Sequence, residues 1–158
     1  MIIRKARLEE VDEIAILLKQ VSDIHIISRP DIFKKKRIEE LIEESKNCVN
    51  DMERNIIVAE DEGKIKGVVI YKIRSIKDNF NRCNIKSLSI GELVVEEKQR
   101  SKGIGKKLLD NIKEIAKKEN CDNIELNCWS FNKRAMKFYR DYGMKEQRVF
   151  FEMKVEEE

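Results

Sequence analysis

Leu93-Val94-Val95-Glu96-Glu97-Lys98-Gln99-Arg100-Ser101-Lys102-Gly103-Ile104-Gly105-Lys106-Lys107-Leu108 is the stretch whose reading decides the fold. An apolar run stops at Val95, a charged loop follows, two glycines flank Ile104, and an amphipathic period begins. This is a strand feeding the N-terminus of a helix through a loop whose backbone amides are left bare. First-turn N–H groups have no partners inside a helix, and the helix dipole adds positive potential there, so such a place binds anions.

Working outward, the strand side extends back to Ile85, with Ser87, Ser89 and Gly91 alternating against Leu88 and Ile90. Before it, an apolar run over 55–60, a turn at Asp61-Glu62-Gly63-Lys64 and a β-rich run over 65–73 predict an antiparallel hairpin. Met1 to Ala6 reads as a first strand. Leu8, Val11, Ile14, Ala15, Leu17, Leu18 and Val21 recur at helical spacing. That helix is expected to dissolve near Ile26, because Pro30 disfavours helix at Arg29. A second helix is predicted over 34–47, with the Lys34–Arg37 run as its solvated face.

On the helix side, Ile104, Leu108, Leu109, Ile112, Ile115 and Ala116 keep the period until Asn120. Residues 124–129 then read as a strand, parallel to 85–95 if the crossover is right-handed. Asn132 suits the N-cap of a short helix ending at Tyr142, and Gly143 suits its left-handed C-terminal position. Val149, Phe150, Phe151 and Met153 predict a last strand. The order is β-α-α-β-β-β-α-β-α-β: one α/β domain over 1–158, a mixed sheet flanked by helices.

Composition sets bounds on function. Apolar residues make up 41% and charged residues 40% of the 158, enough for a core under a heavily charged surface. A net charge of +3 argues against a nucleic-acid binder. Cysteines at 48, 83, 121 and 128 form no Cys-x-x-Cys, and His25 is remote from them in sequence, so no metal site is expected. No signal-like start and no apolar run of membrane length is present. A reduced, cytoplasmic protein is therefore expected, without membrane attachment.

Which anion does the loop hold? A P-loop needs a glycine five residues before Gly105, and a dinucleotide fingerprint needs a third glycine where Leu108 stands. Both templates fail. What remains is Arg100-x-x-Gly103-x-Gly105, and further on Asn132-x-x-Ala135-x-x-Phe138-Tyr139-x-x-x-Gly143-Met144. The pair resembles the GNAT superfamily of acyl-CoA-dependent N-acetyltransferases in both motifs, in their separation and in element order. Met144 replaces the commoner phenylalanine.

The resemblance implies a GNAT-like fold with a splayed parallel strand pair holding the coenzyme. It implies acetyl-CoA as cosubstrate, its pyrophosphate wrapped by the amides of Arg100, Ser101, Lys102, Gly103, Ile104, Gly105 and Lys106. The pantetheine arm would pair with backbone at Leu93 and Val95, and an amide near Val94 would face the thioester carbonyl. Asn127 and Asn132 are implied as further coenzyme contacts.

Acetyl transfer to an amine poses two proton problems. A lysine-like ammonium is only about one part in a thousand neutral near pH 7, so a base must remove a proton. The leaving thiolate must regain one. In the family the tyrosine at the position of Tyr139 commonly donates it, against an uphill step of roughly 2 kcal/mol. For the base, Glu92 shares sequence parity with Leu88 and Ile90, which suggests an inward face where desolvation raises its pKa. His25 is the alternative base. The expected function is transfer of an acetyl group to a primary amine of a small molecule, peptide or protein, by direct attack. The rival is a non-catalytic acyl-CoA-binding regulatory module. The acceptor and the choice between monomer and homodimer stay open.

Overall fold

The computed structural model describes residues 1–155. In order the chain forms β1 (Ile2–Lys5), a 3-10 turn (Leu8–Glu10), α1 (Val11–Ser28), α2 (Ile38–Asn50), β2 (Arg54–Asp61), β3 (Lys64–Ile76), β4 (Ile85–Val95), a second 3-10 turn (Glu97–Gln99), α3 (Ile104–Lys118), β5 (Asn123–Leu126) and α4 (Lys133–Tyr142). Contacts divide it into two compact units, Met1–Asn127 and a smaller one from Cys128 onward.

The first unit is a five-stranded sheet in the order β1-β2-β3-β4-β5, antiparallel up to β4 and parallel between β4 and β5. Glu62 and Gly63 both take positive φ, 51° and 72°, the turn whose twist matches the strands of the β2–β3 hairpin. One face of the sheet presents Val68, Ile70 and Val94 to Ile14, Leu17 and Leu18 of α1. The other receives α3 at close range: a Cβ added at Gly67 would lie 3.0 Å from Leu108 Cδ1 and 3.2 Å from Ile104 Cγ2. The helical period read from sequence is that face, since Ile104, Leu108, Leu109, Ile112 and Ala116 are all buried.

Three expectations change. Helix α1 continues through Ile26 and Ile27 to Ser28, and Arg29 leaves helical geometry at φ −142°. Proline restricts only the residue before it, so nothing stops the helix earlier. Helix α2 begins at Ile38 rather than 34. Four cations in a first turn would oppose the helix dipole, whereas Glu39 and Glu40 suit it, and the Glu40 carboxylate accepts the Arg37 amide at 2.7 Å. The Lys34–Arg37 run is therefore an exposed approach to the helix and not its face. The predicted last strand is absent: residues 144–155 lie in no strand, and Phe150, Phe151 and Met153 are exposed.

Candidate active site

Strand β4 is the axis of the site. It pairs with β3 from end to end, with a register shift between Ile70 and Tyr71: Tyr71 lies opposite Ile90 and Ile70 opposite Glu92. Gly91 is thus an extra residue, a β-bulge. Pairing with β5 covers only Ser87–Ile90 against Asn123–Leu126. The expected strand over 124–129 ends at Leu126, and the two parallel strands part where β4 bulges. Beyond that point β4 has β3 on one side and, among the described residues, no ladder on the other.

Alternation then assigns the free groups. The Glu96 amide donates to Lys66 O at 2.9 Å, so residues 96, 94 and 92 turn their backbone toward β3. Leu93 and Val95 turn theirs to the open side, and Arg100 Nε donates to Val95 O there at 3.1 Å. The Val94 amide faces β3, which corrects its expected place at a thioester carbonyl. The amides on the open side are those of Leu93 and Val95.

The bulge also corrects the parity argument for Glu92. Directly opposed residues share a sheet face. Ile90 lies opposite Tyr71, and Glu92 opposite Ile70, whose side chain joins the α1-side core. One extra residue reverses alternation, so Glu92 lies on the α1 side and Ile90 on the α3 side. Glu92 is nevertheless half-buried. Desolvation, reinforced by the negative charge of Glu44 and opposed by Lys36, pushes its carboxyl up to about 7. Lys36 Nζ binds Glu44 Oε2 at 2.7 Å, so an ion pair from α2 and its approach lies in electrostatic reach of Glu92. This neighbourhood is not legible in the sequence, because it depends on where α2 lies.

The loop after β4 ends in two left-handed residues, Ser101 at φ 64° and Gly103 at φ 81°. Gly103 is the N-cap of α3, and no side chain caps the helix. The first intrahelical bond runs from the Lys107 amide to Gly103 O, leaving the amides of Ile104, Gly105 and Lys106 outside the helical ladder. Lys106 is exposed and pairs with Asp110, and Lys102 Nζ donates to Gln99 Oε1 at 3.0 Å. An uncapped helix start behind a left-handed glycine fits a pyrophosphate. Gly103→Ala meets no atom within 4 Å, so its penalty is conformational. It is expected to lower stability by about 1 kcal/mol and to weaken binding of a pyrophosphate-bearing ligand, measured by urea unfolding and by calorimetry with coenzyme A. Unchanged values for both would contradict this assignment.

Asn127 follows β5 and is exposed. His25 stacks on Phe33 with centroids 4.9 Å apart, and burial lowers its pKa. A hollow lined by Lys5, Asp51, Met52 and Arg54 among others holds none of the expected site residues. The four cysteines are free, no described helix is long and apolar enough to cross a membrane, and no described cluster of His, Cys, Asp and Glu could hold a metal.

The second unit carries Asn132 and Tyr139. Asn132 Oδ1 accepts the Ala135 amide at 3.1 Å, the expected N-cap. Gly143 takes φ 100°, and the amides of Gly143 and Met144 close the helix on Arg140 O and Tyr139 O. Phe138 and Tyr139 are both half-buried, their rings 5.3 Å apart, and no residue of α4 is fully buried within the chain.

The model of the acetyltransferase (GNAT) family matches residues 18–144. No curated protein matches the chain. A crystal structure of a tetramutant of the BH1408 protein from Bacillus halodurans superposes with TM-score 0.94 at 29% identity, over 98% of this chain and 100% of that one. A ribosomal-protein-alanine N-acetyltransferase from Brucella melitensis biovar Abortus 2308 gives 0.76 at 16%, over 98% and 100%. The aminoglycoside N-acetyltransferase AAC(6')-Iy in complex with CoA gives 0.74 at 18%, over 97% and 93%. With the family model spanning the strand, the loop and both motifs, the chain belongs to the acetyltransferase (GNAT) family.

Proposed function

We propose that the protein transfers the acetyl group of acetyl-CoA to a primary amine by direct attack. The observation that carries this reading is Glu92: a half-buried carboxyl held near 7, one residue before the backbone amides that line the gap between β4 and β5. A base titrating near the working pH is ionised often enough to accept a proton and basic enough to hold it.

In this reading the uncapped start of α3 and the amides from Arg100 to Lys106 hold the pyrophosphate. The backbone of Leu93 and Val95 pairs the pantetheine arm, with Asn127 and Asn132 as further contacts. Glu92, directly or through water, takes the proton from the attacking ammonium. Tyr139 returns one to the thiolate as it leaves. Lys36 and Glu44 border the acceptor side of Glu92.

The test is thiol release across a panel of amines and peptides, including an aminoglycoside and a peptide with N-terminal alanine. Acetyl-CoA is expected to raise the melting temperature by mass action. Tyr139→Phe is expected to lower kcat roughly 10- to 100-fold while this thermal shift survives. A shift with no thiol release from any amine leaves the non-catalytic acyl-CoA-binding module. No shift at saturating ligand removes both readings.

A further inference from the structure

The connection from α1 to α2, residues 29–37, is tied to both helices. Phe33 stacks on His25 of α1 with ring centroids 4.9 Å apart, and Lys36 Nζ donates to Glu44 Oε2 of α2 at 2.7 Å. Lys34, Lys35, Lys36 and Arg37 follow one another here, and all four are exposed.

The tie to α2 brings these cations toward Glu92. Leu41, Ser45 and Cys48 are the buried face of α2, and Cys48 belongs to one core cluster with Ile70 and Val94. Glu92 lies opposite Ile70 and shares its face of the sheet. Glu44 stands one turn before Cys48, at the margin of that buried face, whereas Glu39 and Glu43 fall on the opposite side of the helix. Glu40 is turned back onto the Arg37 amide at 2.7 Å. The charges of Glu44 and Lys36 both act on Glu92.

Charge is therefore graded outward: half-buried Glu92, then Glu44, then a run of exposed cations. An ammonium suits the inner part. A molecule with further positive charges meets the Lys34–Arg37 run and is repelled there. The side chains of Lys36 and Glu44 are 45% and 50% exposed, so water screens their pair and holds it weakly. An incoming carboxylate or phosphate can take Glu44's place on Lys36 through a charge-assisted hydrogen bond, which frees Glu44 to face the ammonium.

We propose, on the acetyl-transfer reading with Glu92 as base, that the acceptor is a primary amine carrying a carboxylate or phosphate close to its reacting nitrogen, and that Lys36 receives this anionic group in exchange for Glu44. Polycations such as polyamines and aminoglycosides are then poor acceptors. Small amino acids, aminoalkyl phosphates and peptides with acidic residues behind an N-terminal amine share the required chemistry.

The experiment is thiol release from acetyl-CoA at low ionic strength on matched acceptors. O-Phosphoethanolamine is compared with ethanolamine, and the peptide Ala-Glu-Glu with Ala-Lys-Lys. At least one pair is expected to favour its anionic member in kcat/KM by about 10-fold or more, chiefly through KM. Which pair does so separates a small acceptor from a peptide. The ratio is expected to shrink as salt is added. Lys36→Gln is expected to bring it toward unity, and Glu44→Gln to enlarge it, because Lys36 then has no competitor. The ratio is the readout because any change in Glu92 caused by these substitutions acts on both members of a pair alike. Equal use of both members in both pairs, or preference for the cationic peptide, overturns the proposal while acetyl transfer stands. So does an anionic preference that Lys36→Gln leaves unchanged. A thermal shift with acetyl-CoA but no thiol release from any amine overturns the acetyl-transfer reading, and this proposal with it.

Discussion

Glu92→Gln is expected to lower kcat at least about 100-fold and, at pH 8, to make the protein more stable. The two effects share one cause. Glu92 is pushed from 4.5 up to about 7, chiefly by desolvation and secondly by Glu44. Above pH 7 the folded protein therefore holds a carboxylate where burial disfavours it. A general base contributes about 10²- to 10⁴-fold, and glutamine keeps the shape while losing the lone-pair basicity.

The sign of the stability effect follows from linkage. The folded-state pKa is raised, so between about 4.5 and 7 the folded chain binds a proton that the unfolded chain has released. Stability falls as pH rises through that window, by at most about 3 kcal/mol, and the penalty is complete above 7. Glu92→Gln removes it, so urea midpoints of variant and wild type should converge near pH 4 and separate at pH 8. In turnover, wild-type kcat should rise with pH through an inflection near 7, and the variant should lack that inflection. An inflection retained in Glu92→Gln would assign the base to another group, with His25 the first to examine. A variant less stable than wild type at pH 8 would mean that the carboxylate has a partner offsetting its burial.

What could be read in the sequence was local chemistry. The bounds of β4 follow from serine and glycine alternating with leucine and isoleucine and then giving way to an apolar run, and Ile85–Val95 is the strand observed. The caps of α4 follow from one side chain and one backbone conformation, Asn132 and Gly143. The errors arise where a residue's meaning depends on a distant element. Counting by twos from Ile90 to Glu92 fails because Gly91 bulges, and a bulge is a property of the β3–β4 pair. The same geometry turns Val94 toward β3 and leaves the open side to Leu93 and Val95. Glu44 and Lys36 come within electrostatic reach of Glu92 only because of where α2 lies. Val149, Phe150, Phe151 and Met153 suggest a strand by residue type, but a strand needs a neighbour, and residues 144–155 form none.

The second large effect is expected far from the chemistry, at Glu10. Glu10 is 7% exposed, and its carboxylate closes a network at the start of the fold. Arg4 Nη1 donates to it at 3.0 Å, Arg7 Nη2 at 2.7 Å and the Arg7 amide at 2.8 Å, while Arg4 Nε also reaches Glu60 at 2.8 Å. Hydrogen bonds from Arg4 lead the causes that hold Glu10 down to about 2, outweighing its desolvation. A half-buried charge that loses its main partner is costly, and Arg4 would keep only Glu60 and the Lys5 carbonyl. Glu10→Gln is therefore expected to lower unfolding free energy by about 3 kcal/mol at pH 7, near 6–12 °C in Tm for a chain of this size. Here the pH dependence has the opposite sign to that of Glu92. The folded-state pKa is depressed, so the contribution is fully present above the unfolded value of 4.5 and is lost as pH falls through about 2. Urea midpoints of wild type and Glu10→Gln should differ most at pH 6 to 7 and approach one another toward pH 2. Equal stability at pH 7 would show that Glu60 and the Lys5 carbonyl satisfy Arg4 without Glu10. A constant gap down to pH 2 would show that the loss is one of packing and not of charge.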